Sequence, residues 1–114
     1  MDFKKVCIII PCFNEAQTLP LMIKQINKID SKIQILVVDN ASTDNTYKIA
    51  SKFGVKVIKE SKKGKGYAVK KGFSNLGNDC QVVVLVDGDD TYDLSNLKMA
   101  IELVDKHGYD MVVG

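Results

Sequence analysis

The sequence predicts an α/β domain of three layers, a mainly parallel sheet held between two layers of helices. Three observations predict it. Runs rich in β-branched residues recur along the chain at Val6–Ile10, Ile33–Val38, Val55–Ile58, Val82–Val86 and Met111–Val113. The longer runs are apolar almost without a break, the pattern of strands buried on both faces. Between the runs, apolar residues repeat at spacings of three and four, the period of a helix with one buried stripe.

Taken in order, the first run leads to a helix with Leu19, Ile23 and Ile26 on its stripe and Pro20 in its first turn, where a missing N–H costs nothing. The second run leads to a helix carrying Ile49, Ala50 and Phe53, with Thr43 placed to cap its start and Gly54 to end it. The third leads to a helix with Ala68, Val69, Gly72, Phe73 and Leu76, ended by Gly77; Gly72 on that stripe reads as a close helix–sheet contact. The fourth leads to Leu97, Ala100, Ile101 and Val104, with Ser95 as cap and Gly108 as stop. Lone His107 sits near that last helix end, where it suits the dipole, and it is assigned no chemistry. The order is βαβαβαβαβ. Right-handed crossovers then give a parallel sheet whose ligands bind beyond the carboxyl ends of the strands.

Composition narrows the function. With 114 residues the chain makes one domain with an ordinary core, and its net charge of +2 gives no general attraction to nucleic acid or to an anionic surface. Cys7, Cys12 and Cys80 have no metal-ligand spacing, so they read as packed thiols in a reducing compartment, without a disulfide. The short N-terminal apolar run, interrupted at Pro11, is neither a leader nor a spanning helix, and the expected location is the cytoplasm or its membrane face. The chain stops at Gly114 just after a strand, where such a fold would continue, so a truncated domain is expected.

The strand-end loops carry the chemistry. They are Pro11-Cys12-Phe13-Asn14-Glu15, Asp39-Asn40-Ala41-Ser42-Thr43-Asp44, Glu60-Ser61-Lys62-Lys63-Gly64-Lys65-Gly66 and Asp87-Gly88-Asp89-Asp90. Carboxylates crowded into the last loop repel one another unless a cation compensates them, and hard oxygen ligands suit Mg²⁺ or Mn²⁺. Lys63 and Lys65, flanked by glycines at a helix start, suit phosphate. Asp39, directly on its strand end, reads as a ligand group, whereas Asp44 is equally suited to capping the next helix. Together these loops fit a nucleoside diphosphate bridged by a metal.

The four motifs resemble those of the inverting family 2 glycosyltransferases of GT-A fold, and among them the polyprenyl-phosphate (dolichol-phosphate-type) mannosyl and glucosyl transferases. Pro11 to Glu15 is similar to P-x-[YF]-N-E, Val37 to Asp44 to V-D-[DN]-x-S-x-D, Gly64 to Ala68 to G-K-G-x-A, and Asp87 to Asp89 to DxD. The resemblance covers essentially residues 1–114 and only the donor-binding half of such a domain. It implies a truncated three-layer, Rossmann-like GT-A fold and a metal-dependent transfer of a hexose from a UDP- or GDP-linked donor to a polyprenyl phosphate or saccharide. It further implies that Pro11, Phe13, Glu15 and Asp39 hold base and ribose, with Asp44 supporting the loop. Lys63 and Lys65 lie near the pyrophosphate, Asp87 and Asp89 hold Mg²⁺ or Mn²⁺, and Asp89 serves the chemistry. Thr91 stands where dolichol-phosphate mannose synthases carry a Gln ligand. Any general base, and contact with a membrane, fall beyond residue 114, and an open sheet edge would favour self-association.

Other readings compete. Asp87-Gly88-Asp89-Asp90-Thr91 satisfies the DxDx[TV] of haloacid-dehalogenase-type phosphatases, with Asp87 as nucleophile. That motif belongs early in such a chain and needs later partners for which little sequence remains. A non-catalytic nucleotide-binding module is the alternative of another class. A receiver domain lacks its final Lys here, and a nucleotidyltransferase would carry a glycine-rich first loop.

Overall fold

A computed structural model describes residues 2–88, positions 97, 99, 101 and 102, and the strand at 111–113. The elements are β1 (Val6–Cys12), α1 (Leu19–Ile29), β2 (Gln34–Asp39), α2 (Thr46–Lys52), β3 (Lys56–Lys59), α3 (Lys65–Ser74), β4 (Val82–Leu85) and β5 (Met111–Val113). Leu97, Met99, Ile101 and Glu102 are helical. Among the described residues the strands form one five-stranded sheet in the order β3-β2-β1-β4-β5, with parallel pairing throughout. Order reverses between β1 and β4, so a crevice opens there beyond their carboxyl ends.

Side chains alternate across the sheet and split the core in two. Ile8 and Ile10 join Leu19, Met22, Ile23 and Ile26 of α1, Ala50 of α2, and Leu97 and Ile101 on one face. Ile9, Leu36 and Val38 meet Ala68 of α3 on the other. Gly72 is the closest point of that second contact: a Cβ there would lie 2.7 Å from Ile9 Cγ2. The helix lies against the sheet at this place because glycine has no side chain.

Several expectations are corrected. Pro11 does not end β1; it pairs in register with Val38, and the ladder runs on because Asn40 N–H donates to Cys12 O at 2.8 Å. Thr43 does not cap α2, because its N–H and hydroxyl both donate to Asn14 Oδ1, at 2.8 and 3.3 Å, and the helix begins at Thr46. α3 ends at Ser74, before Gly77. Ser95, His107 and Gly108 lie outside the described residues. Cys7 and Cys80 form a disulfide, with Cα atoms 6.0 Å apart. They are 73 residues apart in sequence, but β4 lies beside β1, and Gln81 N–H donates to Lys5 O at 2.8 Å just ahead of it. Sheet adjacency, invisible in the cysteine spacing, brings them together, and the argument from cysteine usage to a reducing compartment loses its basis. Cys12 is the buried free thiol among the described residues. No helix among those residues is long and apolar enough to cross a membrane.

Candidate functional site

At the reversal point the loops enclose a cleft of about 280 Å³ lined by Pro11, Cys12, Phe13, Glu15, Asn40, Lys65, Ala68, Asp87 and Gly88. Side chains bridge the loops around it in turn. The β1–α1 loop is joined to the β2–α2 loop by Asn14 N–H donating to Ser42 Oγ at 2.9 Å, Glu15 N–H to Thr46 Oγ1 at 3.0 Å and Ala16 N–H to Asp44 Oδ2 at 3.3 Å. Asn14 and Ala41 hold positive φ, 54° and 59°, a conformation natural for Asn and strained for Ala. Asn40 joins the β2–α2 loop to the β3–α3 loop.

The turn after β4 is held from below. Thr18 Oγ1 donates to Gly88 O at 2.7 Å. A Cβ on Gly88 would lie 2.8 Å from Cys12 Sγ and 3.3 Å from Pro11 O, so this glycine permits the β4 turn to rest directly on the β1 turn. Lys65, the first residue of α3, closes the ring by pairing with Asp87.

The expected site residues therefore separate into groups. Pro11, Phe13, Glu15, Lys65 and Asp87 line the cleft. Asp39 is buried and does not line it; its Oδ1 accepts from Ser42 N–H at 3.2 Å, closing the loop turn and capping no helix. Lys63 stands at the outer rim, its Nζ 5.8 Å from the centre of the half-exposed Phe13 ring. Asp44 accepts from the Thr46 N–H at 2.9 Å and from its hydroxyl, just before α2. Burial raises the Asp44 pKa, but these bonds and the one from Ala16 outweigh it and hold the group below its ordinary value. Asp89 and Thr91 lie outside the described residues. Asn40, Thr18 and Gly88 act here without having been singled out for it; the pairing of Asn40 with a loop twenty residues on leaves no local signal.

The chemistry of the donors present can be weighed. Burial, with Glu15, Asp39 and Asp44 nearby, pushes the Cys12 thiol far above its usual range, so it stays protonated and is no nucleophile. Asp87 is compensated by Lys65, yet their side chains are 37% and 62% exposed, and such a pair contributes at most about 1 kcal/mol. No group of three His, Cys, Asp or Glu side chains converges among the described residues. Asp87, from the described part of the acidic loop, is a hard oxygen donor of the type that suits Mg²⁺ or Mn²⁺.

The family model for "Glycosyl transferase family 2" matches residues 7–114. The chain belongs to that family. It is 38% identical over 109 residues to protein RfbJ of Shigella flexneri, covering 96% of this chain and 83% of that one. It is 34% identical over 113 residues to a dolichyl-phosphate hexose transferase of Haloferax volcanii, covering 98% of this chain but 48% of the relative. This family 2 chain thus spans most of RfbJ and about half of the Haloferax protein. Among solved structures, the mannosyltransferase PcManGT of Pyrobaculum calidifontis, in complex with GDP-Man and Mn²⁺, superposes with a TM-score of 0.76 at 24% identity over 88% of this chain and 32% of its own. The fold is the GT-A glycosyltransferase fold, as the motifs implied, and the phosphatase, receiver and nucleotidyltransferase readings are set aside by the family.

Proposed function

We propose that this chain is the donor-binding half of a metal-dependent glycosyltransferase, which moves a hexose from a UDP- or GDP-linked donor to a polyprenyl phosphate. The observation that carries this reading is the cleft at the β1/β4 reversal, lined by Phe13 and by Asp87 paired with Lys65 at a helix start. Pro11, Phe13 and Glu15 would receive base and ribose, with Asp39 below them ordering the loop or reaching the nucleoside. Lys65 and, from the rim, Lys63 would face the pyrophosphate together with the first turn of α3. Asp87, with Asp89, would hold Mg²⁺ or Mn²⁺, which when bound neutralises the charge that builds on the leaving diphosphate. Lys65, now paired with Asp87, is exposed enough to turn to the phosphates instead. The Haloferax relative, named for dolichyl phosphate and hexose, supports a lipid-phosphate acceptor; such an acceptor is already ionised and needs no general base from this half.

The test is calorimetry of UDP and GDP with residues 1–114 in Mn²⁺ and in EDTA, beside Asp87→Asn. Affinity should fall by about 10-fold or more in EDTA and in the variant, the scale of a weakened metal site. Equal affinity in all three removes the metal from the reading. Transfer from UDP-glucose or GDP-mannose to a short polyprenyl phosphate should require a C-terminally extended chain, and turnover by residues 1–114 alone would show the acceptor site lies within them.

A further inference from the structure

The side chain of Asn40 is buried at the edge of the cleft, and its hydrogen bonds are all with backbone. Its Nδ2 donates to Glu60 O at 3.1 Å and to Lys62 O at 2.7 Å, and its Oδ1 accepts from Gly64 N–H at 2.9 Å. Two carbonyls and one amide admit a single orientation of the amide group. They also admit few residue types, because a carboxylate of the same shape would set its oxygen against both carbonyls.

The clamped segment has little else to hold it. Residues 61–67 are all exposed, without an apolar anchor. Besides the Lys65–Asp87 ion pair and the first turn of α3, in which Tyr67 N–H donates to Gly64 O at 3.1 Å, their contacts are one local bond, Lys62 N–H to Glu60 Oε2 at 3.3 Å, and rings beneath Lys62 and Lys63. Gly64 holds φ at +140°, open to glycine, and Lys65 follows it directly as the first residue of α3. Fixing the Gly64 N–H therefore fixes where α3 begins and from where Lys65 reaches the cleft. Asn40 is itself tied to β1, its N–H bonded to Cys12 O, so the rigid sheet sets the position of the lysine loop.

We propose that Asn40 is a positioning residue for the phosphate-binding side of the cleft, acting through Gly64 on Lys65 and the start of α3. The proposal rests on the donor-site reading above. It separates the two halves of a nucleoside diphosphate: Asn40 orders what meets the phosphates and leaves what meets the nucleoside nearly as it was.

The experiment uses the full 114-residue chain with Asn40→Asp and Asn40→Ala, the second removing the clamp without adding charge. Affinities for UDP and GDP in Mn²⁺ are compared with those for uridine and guanosine. Both variants should lose about 10-fold or more for the diphosphates and under about 3-fold for the nucleosides, the scale of two or three lost hydrogen bonds at one end of the ligand. In a Lys65→Ala background the Asn40 substitutions should add less than they cost alone, because part of their effect runs through Lys65. Without ligand, hydrogen exchange at the Gly64 amide should quicken by about 10-fold or more in either variant, while β1 and β2 amides stay protected. Equal losses for nucleoside and diphosphate, losses that multiply with Lys65→Ala, or unchanged Gly64 exchange each overturn the proposal. If the unaltered chain binds neither UDP nor GDP, the donor-site reading fails and this inference fails with it.

Discussion

Gly88 sits where the turn after β4 meets Cys12 Sγ, Glu15 Cγ and Pro11 O, all within 3.3 Å of where a Cβ would stand. The carbonyl belongs to a strand and cannot turn aside, so Gly88→Ala must shift the turn that carries Asp87. A loss of about 1–3 kcal/mol is expected, the usual cost of overpacking, together with weaker Mn²⁺-dependent nucleotide binding. A denaturant midpoint equal to that of the parent would mean the turn has room to move. At this scale the positions of Phe13, Glu15 and Asp87 were legible, because they follow strands that the apolar runs mark out, whereas Pro11 lies inside β1 and Lys65 opens α3. The bridging roles of Asn40 and Thr18 were not, since each depends on which distant backbone group lies opposite.

Among the elements, α3 does two things with its glycines. Gly72 lets the helix approach Ile9 and Val38, and a methyl there would meet Ile9 Cγ2 at 2.7 Å, whereas Gly66 in the first turn has nothing within 4 Å of its Cβ position. Gly72→Ala should therefore destabilise by about 1–3 kcal/mol, the overpacking outweighing the better helix propensity of alanine. Gly66→Ala should raise stability by about 0.5–1 kcal/mol, the propensity gain alone. Thermal melts of the pair decide it, and a Gly72→Ala protein as stable as its parent would show that Ile9 can repack. If Gly66→Ala is more stable yet binds UDP and GDP more weakly, the glycine serves close approach of a phosphate. The start of α2 was misread for a physical reason: Thr43 had the right chemistry for a cap, but Asn14 from another loop takes its N–H and hydroxyl.

For the whole molecule, the Cys7–Cys80 disulfide ties β1 to the segment just before β4 across 73 residues. Closing so long a loop restricts the unfolded chain, and a contribution of about 2–4 kcal/mol is typical. Dithiothreitol, or Cys80→Ser, should lower the unfolding midpoint accordingly, and mass spectrometry of the alkylated protein reports the pairing; an unchanged midpoint on full reduction would leave the bridge without weight in stability. What the sequence determined by itself was whatever is periodic or local: five apolar strand runs, helical stripes, and four polar loops that must lie on one rim once the sheet is parallel. What only the tertiary structure decided was adjacency. The reversal between β1 and β4 brought Cys7 to Cys80, laid Gly88 on Cys12, and paired Lys65 with Asp87. Those contacts join residues far apart in the chain, and their geometry follows from strand order and register, which the pattern of residue types along one chain does not encode.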